Sequence, residues 1–261
     1  DMEKACVRLY EAIENKEKII IYADYDCDGI PGAVILADLF KILSIPVEVY
    51  SYTNDGDGAS AASTSSPSSS VRVYIPQRNS EGYGLNLEAI KQFAESGVKL
   101  LITIDLGITA VAEVAQAEVD GIDVIITDHH LPQATLPRAY AILNPKIDDY
   151  PEKMLCGAGV VFKLVQGFIK KYGEYFKIKI GAEKWMLDMA GLATLSDMVP
   201  LLGENRAIAY FGMKVLKKSS RPGLQKLLAK MNIDQKNLTQ EDMGFKVTPR
   251  LNAASRMADP M

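Results

Sequence analysis

Histidine is almost missing from this chain: there are 2 in 261 residues, adjacent at His129 and His130. Any role for imidazole is therefore confined to one place. Cysteine is nearly as scarce. Cys6, Cys27 and Cys156 lie far apart without CxxC spacing, which excludes a disulfide framework and a structural zinc and fits a reducing, cytoplasmic setting. No uninterrupted apolar segment approaches the length of a membrane span, and the N-terminus lacks a signal-peptide pattern, so no membrane is expected as a partner. An excess of positive charge is also missing, with 29 Lys and Arg against 33 Asp and Glu, a formal charge of −4. Coating a nucleic-acid backbone by electrostatics alone calls for the opposite balance; a site neutralised locally by metal ions is compatible with this one. There is no G-x-S-x-G elbow and no Cys beside a His, so covalent catalysis has no candidate nucleophile. What is present is apolar: 48% hydrophobic residues suffice for a large core, in one big domain or two smaller ones. Beginning on Asp1 and stopping on Met261 directly after a motif-like stretch, the chain reads as a fragment.

Three hydrophobic runs end on acids or histidines: IIIYADYDCDG (19–29), LLITIDLG (100–107) and DVIITDHH (123–130). Each is rich in Ile, Leu and Val without polar alternation, as expected of a parallel strand covered on both faces. Asp24, Asp26, Asp28, Asp105, Asp128, His129 and His130 then sit beyond strand ends, where open α/β sheets bind ligands. Helical patterns separate the runs: 2–15, a helix opened near Pro31 that continues through 33–43, 87–96 capped by Asn86 and closed by Gly97, and 109–119. Strand composition marks 47–52 and 71–75, and further strands are expected at 99–105 and 122–127. This alternation predicts an α/β fold over residues 1–150, a parallel doubly wound sheet flanked by helices. A Ser-rich stretch at about 53–70 reads as a flexible insertion. Residues 151–261 are mostly helical, with periodicity at 157–172, 183–195, 204–218 and 221–231, and are expected to close one side of the crevice.

Asp24, Asp26 and Asp28 repel one another unless cations hold them, and an oxygen-rich set suits Mg²⁺ or Mn²⁺. One such Asp could cap a helix while the others are solvated; three directly after a strand are harder to explain that way. A His-His pair is more often a surface or core pair than a ligand set. Its position after a strand, matching Asp24 and Asp105, favours ligands, and imidazole beside carboxylates favours Mn²⁺ or another transition metal over Ca²⁺. Cys27 lies between two acids that raise its thiol pKa, and reads as a packing residue. Glu81-Gly82-Tyr83-Gly84 either turns tightly at the site or merely connects strand to helix. Gly157 and Gly159 read as permitting close helix packing, since no strand precedes them in the Rossmann manner.

DYDCDG, the acid of ITIDLGI, and TDHH together resemble the DHH phosphoesterase family. YIPQR (74–78), EGYGLN (81–86), NPK (144–146), YPEKMLCGAGVVFKL (150–164), SDMVPLLGENR (196–206) and PRLNAASRM (249–257) are similar, in order, to its bacterial single-strand-specific exonucleases. The resemblance covers nearly the whole chain apart from the Ser-rich stretch. It implies a pair of divalent metal ions, Mn²⁺ or Mg²⁺, held by Asp24, Asp26, Asp28, Asp105, Asp128, His129 and Asp197. In that scheme Asp105 bridges both ions, Asp26, Asp28, His129 and Asp197 bind directly, Asp24 and Asp128 support them, and His130 faces the scissile phosphate. Asp105 and His130 are thus the expected catalytic residues. Arg78, Arg250, Asn252 and Arg256 are the implied phosphate contacts, guanidinium gripping phosphate in a planar fork; a lone Arg without the resemblance would read as a solvated surface charge. The implied activity is 5′→3′ hydrolysis of single-stranded DNA from its 5′ end, releasing 5′-mononucleotides by two-metal chemistry, in recombination and repair. Departures from the family's pattern occur at Ala23, Pro31, Leu106 and Ser255, none of which is a ligand. No GGGH-like motif of the family's C-terminal substrate-binding domain is present, so processive degradation of long strands is not expected of this piece alone. Two other readings are a relative that cleaves short oligonucleotides or cyclic dinucleotides, and a catalytically silent interaction module. Silent relatives lose metal ligands, and this chain keeps them all.

Overall fold

The computed structural model describes residues 1–50, 70–78, 81–147 and 149–257. Most of the Ser-rich stretch expected to be a flexible insertion falls on 51–69, outside the described residues. Among the described residues six strands form one sheet: β1 (Lys18–Ala23), β2 (Val47–Tyr50), β3 (Val71–Tyr74), β4 (Val98–Ile104), β5 (Asp123–Thr127) and β6 (Ala141–Leu143). They run in the order β2-β3-β1-β4-β5-β6, and every neighbouring pair is parallel. β6 has only three residues, too few to leave a periodic signal, and was not expected from the sequence.

The central strands are apolar at nearly every position because both faces are covered. Ile19, Ile21, Leu100, Ile102, Ile104 and Ile125 face one core cluster. Their neighbours Ile20, Tyr22, Leu101, Val124 and Ile126 face the other. On the first face lie α1 (Met2–Glu14), α2 (Gly29–Ile42) and α5 (Gly157–Tyr172), contributing Leu9, Leu36, Leu39, Val161 and Phe168. On the second lie α3 (Leu87–Glu95) and α4 (Val111–Val119), contributing Ile90, Phe93 and Val114. The doubly wound arrangement expected from the alternation is therefore present. Asn86 caps α3 as expected, its Oδ1 accepting from Ala89 N at 2.6 Å, and Gly97 leaves the helix end at φ +77°.

The helical half joins the first core cluster. A 3₁₀ turn (Ala182–Met186) leads into α6 (Leu187–Ser196), followed by α7 (Gly203–Leu216), α8 (Pro222–Lys230), α9 (Gln240–Asp242), a π-helical turn (Met243–Val247) and α10 (Thr248–Met257). α6 and α7 approach so closely that a Cβ on Gly212 would stand 2.6 Å from Gly191 Cα. Arg221, at the start of α8, donates from Nε to Asp188 of α6 (2.8 Å) and from Nη2 to Asp38 of α2 (2.6 Å), tying three helices together in a charged network with few exposed atoms. Among the described residues no helix is long and apolar enough to cross a membrane.

Candidate metal centre

The carboxyl ends of β1, β4 and β5 are held in step by their own backbone. Asp24 N donates to Ile104 O, Asp105 N to Thr127 O and Asp128 N to Leu143 O, at 3.1, 2.9 and 3.1 Å. Each acid is thus anchored to the end of the next strand. Asp105 adopts φ +63°, a left-handed conformation that Asp tolerates better than most residues and that turns the chain sharply at the sheet edge. Two glycines make room for this corner. A Cβ on Gly29 would meet Asp24 O at 2.4 Å, and one on Gly157 would meet Asp105 Cβ and Oδ1 at 2.7 Å. The sequence reading of Gly157 as a helix-packing residue is therefore corrected: it admits the Asp105 carboxylate. Gly159 makes only ordinary contacts, with Leu155 and Cys156.

The remaining acids are fixed by backbone amides. Asp26 Oδ1 accepts from Asp28 N and Gly29 N at 2.8 and 3.0 Å. Asp28 accepts from Gly157 N (2.5 Å) and Ala158 N (2.7 Å), so its carboxylate sits on the positive end of α5. Asp24 accepts from Tyr25 N at 2.8 Å. Asp128 is saturated: Oδ1 receives His129 N and His130 N and lies 2.8 Å from His130 Nδ1, while Oδ2 receives Ile108 N. Asp197 arrives from the end of α6. Between these groups stands His129, its Nε2 3.2 Å from Asp105 Oδ1 and 3.7 Å from Asp28 Oδ2, its Nδ1 3.8 Å from Asp197 Oδ2. The sequence separation of 169 residues between Asp28 and Asp197 is thereby closed. Every residue expected in the metal set, and His130, comes to one end of the sheet.

The electrostatics follow from crowding acids in a buried place. Burial, reinforced by neighbouring carboxylates, raises Asp24 and Asp197 to about 6. It pushes Asp28 up to about 7 and Asp105 well above the usual carboxylate range. Burial lowers His129 to about 4, with His130 and Lys146 adding to the effect; this ring is neutral at neutral pH and able to offer a lone pair. His130 moves up, chiefly through its hydrogen bond to Asp128. Burial alone would raise Asp128, but its bonds to the His130 ring and to the amides of His130 and Ile108 hold it below its ordinary value. Cys27 rises to about 12, mainly because it is buried, in line with a packing role.

Asp105 Oδ1 is buried and accepts no hydrogen bond from the described residues. A buried carboxylate oxygen left unpaired is costly. Among the described residues, three sets of side chains bring potential ligand atoms within 4.8 Å of one another: Asp105, His129 and His130; Asp28, His129 and Asp197; and Asp24, Asp26 and Asp105. Asp105 belongs to two of them. The mixed carboxylate–imidazole chemistry, with an oxygen lacking a donor at its centre, fits divalent cations of the Mn²⁺ or Mg²⁺ type.

The expected phosphate contacts divide. The Arg78 guanidinium lies over the Tyr25 ring at 5.2 Å, beside the acidic loop. Arg250 Nη1 donates to Lys246 O at 2.9 Å, from α10 back to the π-helical turn, and Arg250 and Arg256 are exposed. Asn252 reaches inward, where its Oδ1 accepts from Cys27 N at 2.8 Å, bracing the loop between Asp26 and Asp28. Residues 81–84 form a turn with Gly82 and Gly84 at φ +84° and +91°. Glu81 gathers this turn by accepting from Tyr74 Oη, Gln77 N and Asn86 Nδ2. The turn presents Tyr83, 56% exposed, edge-on to His130 at 6.3 Å. Tyr83, His130, Lys146 and Met154 line a cleft of about 800 Å³. Asn144 and Lys146, known from the sequence only as part of a motif, hold the histidine backbone: Asn144 Nδ2 donates to His130 O at 2.9 Å, and Lys146 Nζ contacts His129 O. The NPK motif at 144–146 was the only signal in the sequence, since β6 is too short to announce the strand end that places it.

Fold and cluster together define a doubly wound parallel α/β protein with a carboxylate–imidazole centre at the strand ends. The chain belongs to the DHH family: residues 18–194 match the DHH family, N-terminal domain. It is 37% identical over 99% of its length to the single-stranded-DNA-specific exonuclease RecJ of Bacillus subtilis, and 35% identical over 99% to that of Escherichia coli, covering 29% and 42% of those proteins. The crystal structure of exonuclease RecJ bound to manganese superposes with a TM-score of 0.80 at 30% identity, over 99% of this chain and 58% of that one. RecJ in complex with Mn²⁺ from Thermus thermophilus gives 0.76 at 28% identity, over 98% and 33%. The chain thus spans 29% to 42% of the length of these curated relatives.

Proposed function

We propose that this chain is the catalytic core of a metal-dependent phosphodiesterase that removes 5′-mononucleotides from the 5′ end of single-stranded DNA, in recombination and repair. The observation that carries the reading is the unpaired Asp105 Oδ1 enclosed by Asp24, Asp26, Asp28 and His129. The names of the relatives supply the substrate class. Asp26, Asp28, Asp105, His129 and Asp197 would hold two divalent cations, with Asp24 and Asp128 in support. When bound, such ions supply an activated water and neutralise charge on the phosphate. The protein's own part is positioning. Asp128 occupies Nδ1 of His130 and leaves Nε2 for the scissile phosphate. Arg78, Arg250 and Arg256 form the cationic rim for the remaining phosphate oxygens, and Asn252 keeps the acidic loop in shape. In this scheme residues 1–150 supply the α/β part of the centre and 151–261 complete it through Asp197 and α10. Three free, buried cysteines fit a cytoplasmic setting.

The test is hydrolysis of a 5′-phosphorylated single strand, labelled at either end, with Mn²⁺. Mononucleotides released first from the 5′ end are expected. Cleavage of cyclic dinucleotides or dinucleotides but not of the strand would move the assignment to a small-substrate phosphodiesterase, and no hydrolysis of any phosphodiester would reject the enzyme reading.

A further inference from the structure

α7 carries an unusual surface. Its inner face, Ile208, Ala209, Gly212, Met213 and Leu216, is buried. On the outside Arg206, Tyr210 and Lys214 follow at intervals of four, with Phe211 beside them, all exposed; residues at this spacing share one face of a helix. Tyr210 and Phe211 are 56% and 50% exposed, their rings edge-to-face at 5.2 Å. Lys214 Nζ lies 4.3 Å from the Tyr210 ring centre and 5.6 Å from that of Phe211. The only acid in this helix is Glu204, which is engaged by Tyr150 Oη and Lys163 Nζ. A chain of net charge −4 thus presents one helix face whose exposed charges are all positive and whose apolar groups are flat rings. Neither ring serves the core.

We infer that this face of α7 is a track for single-stranded DNA leading away from the candidate metal centre. The inference rests on the nuclease reading and extends it from the reacting phosphate to the strand beyond. Its position follows from the chain path. α6 ends at Ser196, directly before Asp197 in the centre; residues 197–202 turn, and α7 runs back along α6 with Gly212 against Gly191. Fourteen residues at roughly 1.5 Å each make the helix about 21 Å long, enough for several nucleotides. Surfaces that hold single strands without reading sequence combine cations for phosphates with aromatic faces for bases. This face has both, and its cations complement phosphate charge.

The test compares dT12 with dT3 using the whole 261-residue chain, measuring kcat/KM with Mn²⁺ and binding of labelled dT12 in EDTA by anisotropy. Wild type is expected to prefer dT12. Tyr210→Ala and Phe211→Ala should each reduce the dT12 to dT3 ratio of kcat/KM roughly tenfold and weaken dT12 binding to match. Tyr210→Trp, which keeps a ring, should retain the preference. Lys214→Glu should weaken dT12 binding and flatten its salt dependence by about one counterion. All three substitution sites are solvent-facing, and an unchanged melting temperature would verify the fold. A wild-type ratio near one, or an unaltered ratio in the Tyr210→Ala/Phe211→Ala variant, overturns the track while leaving the nuclease reading standing. A wild type that cleaves neither oligonucleotide removes both.

Discussion

At the scale of single residues, Asp105 concentrates the electrostatic demand of the molecule. It sits at positive φ, is buried, and holds an oxygen with no hydrogen-bond donor among the described residues, in the company of four other buried or half-buried acids. Asp105→Ala is expected to abolish phosphodiester hydrolysis and to weaken Mn²⁺ binding, measured by titration calorimetry. Unaltered Mn²⁺ affinity would remove Asp105 from the ligand set. Asp128 works differently, since its oxygens are occupied by three amides and the His130 ring. Asp128→Ala should lower activity by roughly 10–100-fold and shift any limb of the pH–rate profile set by His130 toward acid, because the hydrogen bond that raises its pKa is gone. A profile that keeps its shape would show that Asp128 does not act through His130. These acids were legible from the sequence because each directly follows a continuous apolar run, so the strand end and the polar residue share one signal. Asp197 was legible only through the family resemblance: it follows a helix, and nothing local distinguishes it from a C-terminal turn.

At the scale of elements, the centre depends on how closely α5 approaches β4. Asp28 accepts the first amides of α5, and Gly157 leaves space for Asp105. Gly157→Ala puts a Cβ within 2.7 Å of that carboxylate. It is expected to cost about 1–3 kcal/mol of stability, read from the urea midpoint, and to reduce activity more than the stability loss alone explains. Wild-type stability and activity together would mean that the corner is looser than its geometry. Asn86→Ala should cost about 1 kcal/mol for the lost cap and loosen the Tyr83 turn through Glu81, seen as faster amide exchange across residues 81–86; unaltered exchange there would separate the cap from the turn. Helices such as α3 and α5 were readable from caps and periodicity. The 3₁₀ start of α6, the three-residue β6 and the π-helical turn before α10 were not, because their hydrogen-bond pattern is set by neighbours rather than by any repeat in the residues.

At the scale of the whole molecule, the acidic centre makes stability depend on pH. Asp24 and Asp197 at about 6, Asp28 at about 7 and Asp105, which burial pushes well above its usual range, all lie above the ordinary carboxylate value of about 4. Their contribution is therefore complete below pH ~4 and is lost as pH rises through their folded values. His129, held neutral down to about 4, opposes this only between about 4 and 6.5. The metal-free protein should consequently melt several degrees lower at pH 8 than at pH 5.5 in EDTA. Mn²⁺ should restore the loss at pH 8 and have little effect at pH 5.5, where protons compete for the same oxygens. A melting temperature in EDTA that rises from pH 5.5 to 8 would contradict the reading of these acids as raised.

The sequence by itself determined the parallel sheet, the helices on both its faces and the row of acids at its strand ends, because covered strands and amphipathic helices write their burial into periodicity. Only tertiary structure decided which distant groups complete the centre. Asp197 beside His129, Gly157 under Asp105, Asn252 on the acidic loop and Asn144 behind the histidines depend on packing between segments remote in sequence, and a contact of that kind leaves no period to read.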